Sequence, residues 1–263
     1  MHDKLTKAIF NINNQKDFEH LALEIYQYQY KRNTVYNKFS QLIAKTPDKV
    51  NSLFDIPFLP ISFFKTHQVL SSRHSVKKIF SSSGTTGTQT SKHHISDLSL
   101  YEQSFLKGFS GAFPNFEKAN IIALLPSYME RNDSSLIYMV NELIQKSSGE
   151  QSGFYQKLDT DIIHFLEHDD SPKILIGVSF ALWDLAEKGI KLKNTKVIET
   201  GGMKGKRKEI IRAELHNILT QGLQVSNIHS EYGMTELLSQ AYLSEKHFKC
   251  PPWMKVLTRE VSD

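Results

Sequence analysis

Apolar residues recur at helical spacing through the start of the chain: Phe18, Leu21, Ile25 and Tyr28 form one stripe, and Val35, Phe39 and Leu42 form a second after Asn33-Thr34. Pro57 and Pro60 then impose extended chain over residues 56–64, which leads to a short apolar strand at 76–80. Beyond residue 95 the pattern alternates. Ser96 is placed to cap a helix with Tyr101, Phe105 and Phe109 on one face, 121–125 reads as a buried strand, and Leu136, Met139, Leu143 and Ile144 mark the next helix. A strand at 173–178, a helix at 181–188, a strand at 196–199, a helix at 206–219 and a strand over 225–228, ending near His229, continue the rhythm. Such an alternation predicts an α/β fold, a largely parallel sheet covered by helices, and no internal repeat or low-complexity tract interrupts it.

Between the strand at 76–80 and the helix that follows lies Ser81-Ser82-Ser83-Gly84-Thr85-Thr86-Gly87-Thr88. These small, hydroxylated residues build no core. Gly84 and Gly87 let the backbone approach a ligand closely, and the hydroxyls offer donors to phosphate oxygens, so the segment reads as an anion cradle rather than a flexible linker. It is not a Walker A loop, because no Gly-Lys pair stands at the required spacing after Gly84.

A second segment, Glu231-Tyr232-Gly233-Met234-Thr235-Glu236, follows the apolar run at 225–228. Together the two segments resemble the adenylate-forming superfamily of acyl-CoA synthetases, luciferases and adenylation domains, which carry a Ser/Thr/Gly-rich phosphate loop and then a Tyr-Gly-x-Thr-Glu motif. Ile56-Pro57-Phe58-Leu59-Pro60, Phe63-Phe64-Lys65 and Leu125-Pro126-Ser127-Tyr128-Met129-Glu130-Arg131 resemble the acyl-protein synthetase branch, which ligates long-chain fatty acids to a protein. The resemblance implies ATP and Mg2+ as cofactors. Ser82, Ser83, Gly84, Thr85, Thr86, Gly87 and Thr88 would wrap the β- and γ-phosphates, Tyr232 would stack on adenine, Thr235 would touch the α-phosphate and Glu236 would hold magnesium. Glu231, Gly233 and Met234 complete that motif, and Gly201-Gly202 match the glycine-containing adenine loop in position. Residues 1–75 are then a helical lead-in and 76–263 the nucleotide-binding core of a large N-terminal domain. The expected reaction is activation of a carboxylic, fatty acid and its transfer to a protein thiol of a reductase-like partner, or else to coenzyme A.

The chain departs from the family pattern in two places. Gln89 and Thr90 stand where proline and lysine are usual, with Lys92 as the nearest cation. The ribose-binding aspartate and the small C-terminal domain with its lysine are not recognisable before Asp263, so the resemblance covers only the family's N-terminal part.

Composition narrows the alternatives. The chain has 263 residues, 40% hydrophobic and 23% charged, with 32 basic against 28 acidic side chains and a formal charge of +4. That excess is too small to imply a nucleic-acid or membrane surface. The lone Cys250 fits a reducing, cytoplasmic setting, and its place before Pro251-Pro252-Trp253 reads as structural rather than acyl-carrying. No signal core or spanning run is present. Gly177-Val178-Ser179-Phe180-Ala181 imitates the nucleophile elbow of a serine hydrolase, with Asp184 or Glu199 and His216, His229 or His247 downstream, but that reading leaves both phosphate motifs unexplained. Residues 204–208 read as the solvated, basic start of a helix, His93-His94 as a solvated pair, and Phe180 and Trp183 as core or as the lining of an acyl tunnel.

Overall fold

The computed structural model describes residues 2–71, 75–83, 89–126 and 131–258. The chain divides into two compact units: residues 1–104, 234–239 and 250–263 form the first, and residues 105–233 and 240–249 the second. The hairpin at residues 78–95 therefore belongs with the preceding helices, and the Glu231–Glu236 motif is divided after Gly233.

In the first unit, α1 (His2–Ile9) is followed by α2 (Gln15–Arg32) and α3 (Thr34–Leu42), which cover the two apolar stripes of the sequence. Asn33 both ends α2 and starts α3: its N–H donates to Gln29 O at 2.8 Å, and its side-chain oxygen accepts from Tyr36 N at 3.1 Å. Tyr26, Tyr36 and Val50 form the core here, and Tyr36 donates its hydroxyl to Pro57 O at 2.7 Å, which fixes the extended segment against α3. Leu42 is 86% exposed, so the second stripe turns inward through Tyr36 and Ser40 instead. A single turn of helix, α4 (Phe63–Thr66), precedes β1 (Lys78–Ser81).

The segment after β1 does not lead into a helix. It leads to β2 (Lys92–Ile95), which pairs antiparallel with β1, Phe80 opposite His93 and Ser81 opposite Lys92. Only then does α5 (Leu98–Ala112) begin, capped by Asp97, not Ser96: the Asp97 carboxylate accepts from Ser99 N at 3.0 Å.

The second unit is α/β. Its remaining elements are β3 (Asn120–Leu124), α6 (Ser135–Lys146), β4 (Gly153–Tyr155), α7 (Thr160–His168), β5 (Lys173–Val178), α8 (Ser179–Ala186), β6 (Thr195–Thr200), α9 (Arg212–Leu223), β7 (Ile228–Tyr232), β8 (Ala241–Ser244) and β9 (His247–Lys249). They build a 7-stranded sheet in the order β4-β3-β5-β6-β7-β8-β9. The first five strands are parallel, and β8 and β9 are antiparallel additions. Every residue of β3 and β5 is buried, as expected of parallel strands covered on both faces.

Two expected elements are displaced. The helix expected from 206 begins at Arg212, because Lys204 and Gly205 take positive φ (53° and 70°) and the Arg207 side chain leaves the chain to pair with Asp184 and Glu187 and cover the Trp183 ring at 4.7 Å. Residues 225–227 are not strand, because Gln224 adopts a left-handed conformation and Val225 N closes the helix end on Thr220 O. The strand shifts to 228–232, which places Glu231 and Tyr232 on β7 itself.

α8 and α9 pack closely at Gly222, where a Cβ would stand 2.4 Å from Ala186 O and 2.6 Å from Ala186 Cβ. Alanine normally strengthens a helix interior, so the sign here depends on the clash. Gly222→Ala is expected to destabilise the protein by roughly 1–3 kcal/mol through overpacking. Gly108→Ala in α5, where a Cβ meets nothing within 4 Å, is expected to be neutral or stabilising by up to about 1 kcal/mol. Denaturant midpoints of the two variants against the parent check both signs.

Candidate functional site

In an open parallel sheet the carboxyl ends of the strands are the usual place for a ligand. In the second unit, β5, β6 and β7 end at Val178, Thr200 and Tyr232, and one buried carboxylate ties these ends together. Glu199 is 8% exposed. Its Oε2 accepts from Ser179 Oγ at 3.0 Å, and its Oε1 accepts from Ser230 Oγ at 2.7 Å. Ser230 has thereby spent its only hydrogen, so the 3.0 Å contact with His216 is one in which Nε2–H donates to Ser230 Oγ. His216 Nε2 and Arg212 Nε lie 3.7 and 3.6 Å from Glu199 Oε1. Burial alone raises a carboxyl pKa, but the nearby His216 ring and the hydrogen bonds from the Ser230 and Ser179 hydroxyls outweigh it and hold Glu199 below the ordinary range.

The opposite face carries a second carboxyl. Thr200 Oγ1 donates to Glu231 Oε2 at 2.7 Å. Burial pushes the Glu231 pKa up to about 7, with the Thr200 hydrogen bond opposing and the charge of Glu199 adding to the rise. A Cβ on Gly233 would stand 2.2 Å from Glu231 Oε1 and 3.3 Å from Gln240 Cγ, so a side chain there would displace the Glu231 carboxyl from this place. Tyr232 alternates to the Glu199 face, 41% exposed, its ring inclined to that of Phe248 by 67° with the centroids 6.0 Å apart. The Arg212 guanidinium covers the same Phe248 ring at 4.8 Å.

Beyond β6, Gly201 and Gly202 both have positive φ (76° and 72°), a conformation that favours glycine at each position. A Cβ on Gly202 would meet nothing within 4 Å, so the second glycine serves the backbone path and leaves the space beside it clear.

In the first unit, the hairpin that carries the hydroxyl-rich loop is closed by Ser82. Its N–H donates to Ser91 O at 3.1 Å, and its Oγ accepts from Ser91 N at 3.0 Å. Ser83 and Lys92 are exposed, while Gly84, Thr85, Thr86, Gly87 and Thr88 lie outside the described residues, as do Ser127 to Glu130 of the Leu125-to-Arg131 phrase. His93 on β2 is not a solvated residue. Its Nδ1 bonds Thr235 O at 2.9 Å, so the nitrogen carries the proton and donates. Burial lowers the His93 pKa, against the opposing effects of the Thr235 carbonyl and the Glu236 charge, which favours the neutral ring. Met234 O accepts from Leu237 N at 3.1 Å and turns the chain so that Thr235 and Glu236 are each partly exposed. Among the described residues, His94 Nδ1 is buried without a hydrogen-bond partner. Among the described residues no group of three or more His, Cys, Asp or Glu side chains is placed to hold a metal ion.

Residues 8–102 match the family described as acyl-protein synthetase, LuxE. This supports the acyl-protein synthetase branch of the resemblance, and the matched stretch takes in α2, α3, β1, β2 and the hydroxyl-rich loop. Glu231 to Glu236 lie outside the match. A search of curated proteins finds none that matches the chain. No described helix is long and apolar enough to cross a membrane.

Ser179, the imitation of a nucleophile elbow, is 2% exposed and gives its hydroxyl to Glu199 rather than to a histidine. Cys250 is half-buried, and burial raises its thiol pKa, the opposite of what an acyl-carrying thiolate needs. Sequence reading missed the roles of Glu199, Arg212 and His93, because an acid, a base and an imidazole with no motif around them acquire a role only when the fold closes.

The raised Glu231 pKa has a signed consequence. Between its ordinary 4.5 and about 7 the folded protein keeps a proton that the unfolded chain releases, so stability falls as pH rises through this window. Glu231→Gln removes the titration. Relative to wild type, the variant is expected to be more stable at pH 8 than at pH 5 by something on the order of 1–3 kcal/mol. Urea unfolding at both pH values measures this, and an identical difference at both would contradict it.

Proposed function

We propose that the chain activates a carboxylic acid, fatty or of another acyl class, as its acyl-adenylate and passes the acyl group to a protein thiol. The observation that carries this reading is the bond from His93 to Thr235, which holds the strand leaving the hydroxyl-rich loop to the Thr-Glu pair of the second motif across 142 positions of sequence. His93 and Thr235 have no local reason to meet. A nucleotide whose phosphates are gripped by the hydroxyl-rich loop and whose α-phosphate and metal are met by the Thr-Glu pair supplies that reason.

A carboxylate oxygen of the acid attacks the α-phosphorus of ATP, the bond from that phosphorus to the bridging oxygen breaks, and pyrophosphate leaves. A thiolate then attacks the acyl carbon, the carbon–oxygen bond to the phosphate breaks, and AMP leaves. In this reading Ser82 to Thr88 hold the β- and γ-phosphates, chiefly through backbone N–H groups, and Thr235 orients the α-phosphate. Lys92 supplies a point charge toward the phosphates. Tyr232, an exposed ring at the end of β7, is the residue that the resemblance offers to adenine. Magnesium takes one or two carboxylates and completes its shell with phosphate and water oxygens. Glu236 is the carboxylate for it, and the ion would offset charge on the transferring phosphorus. The acceptor in this reading is a thiol of a partner protein, with coenzyme A as the competing acceptor.

Acid-dependent exchange of labelled pyrophosphate into ATP tests the first half. Exchange is expected with at least one acid of a chain-length series and should fall by about 100-fold or more in Glu236→Ala, as for loss of a group that stabilises developing charge. Exchange by Glu236→Ala equal to wild type would remove that residue from the reaction, and no exchange with any acid would overturn the reading.

A further inference from the structure

Arg212 is the first residue of α9, and its guanidinium is held from two sides. Phe248 covers one face at 4.8 Å, and Glu199 Oε1 lies 3.6 Å from Nε, too far for a hydrogen bond. Ser179 and Ser230 already donate to the two oxygens of Glu199. Glu199 therefore orients the guanidinium through its charge without consuming the donors. The side chain is 52% exposed, and among the described residues no acceptor is bonded to its nitrogens. A planar fork of donors, stripped of water on one face and aimed by a buried carboxylate, is built for a bidentate oxyanion, because little rotamer freedom remains to be lost on binding. The same Phe248 ring packs at 67° against the exposed Tyr232 ring, with the centroids 6.0 Å apart. A flat ring and an oriented cation thus share one aromatic support.

We propose that Arg212 is a nucleotide-binding residue, its guanidinium fork taking phosphate oxygens of a nucleotide whose base lies against Tyr232. The inference rests on the adenylation reading for the identity of the nucleotide, and it adds a cation from α9 that neither motif supplies. Glu199 is then a positioning residue, acting through Arg212.

Calorimetric titration of the chain with Mg-ATP, AMP and adenosine separates the possibilities. Arg212→Gln is expected to weaken AMP and Mg-ATP by roughly 10- to 100-fold, the range for losing a charge-assisted hydrogen bond, and to leave adenosine within about twofold. Arg212→Lys, which keeps the charge but not the fork, should fall between. A melting temperature equal to wild type shows that each variant is folded. Were AMP and Mg-ATP to bind Arg212→Gln within about twofold of wild type, or adenosine to weaken as much as AMP, Arg212 would be only a cover for Phe248 and the proposal would fail. Failure of wild type to bind any of the three would instead overturn the nucleotide reading itself, and the inference with it.

Discussion

The buried Glu199 carboxylate sets the geometry on which the rest of the second unit depends. It receives a hydroxyl from the start of α8 and a hydroxyl from β7, and the Arg212 guanidinium and the His216 ring of α9 lie within 4 Å of it, so the ends of three parallel strands and one helix are referred to a single pair of oxygens. A carboxylate this buried is costly unless every lone pair is met, and loss of one donor leaves the others around an uncompensated charge. That makes the arrangement all-or-none. The positions of Arg212, Tyr232 and the two left-handed glycines follow from it, since each is the first or last residue of an element that the network anchors, or adjoins one.

Glu231 shows the complementary case. It lies on the other face of the same strand ends with one hydroxyl donor, and its pKa rises where that of Glu199 falls. Two carboxyls one strand apart are thus driven to different protonation by the number of donors each receives, not by their residue type. The glycine of the Tyr-Gly-Met-Thr-Glu segment belongs to the same account. Its missing Cβ is the space that the Glu231 carboxyl fills.

Much of this fold is legible in the sequence, and the failures have physical causes. The apolar runs of β3 and β5 and the stripes of α2 and α6 were readable because burial on both faces, or on one helical face, leaves a period. β4 and β9 were missed because three residues carry no period, and β2, with its Lys-His-His-Ile sequence, reads as polar loop until pairing with β1 reveals it. The start of α9 was misplaced because a tertiary pairing, Arg207 with Asp184 and Glu187, overrides the helix propensity of residues 206–211. At the site, the motif residues could be named in advance, since their spacing is local. The roles of Glu199, Arg212 and His93 could not, since each takes its meaning from partners brought near by the fold.

The account makes one bond decisive, the one from a carboxylate oxygen of the acid to the α-phosphorus. Incubating the protein with ATP, magnesium, a thiol acceptor and an acid labelled with oxygen-18 in its carboxyl group follows that oxygen directly. The account predicts AMP carrying one labelled oxygen, with pyrophosphate unlabelled. Label in inorganic phosphate accompanied by ADP would show an acyl-phosphate route and contradict it.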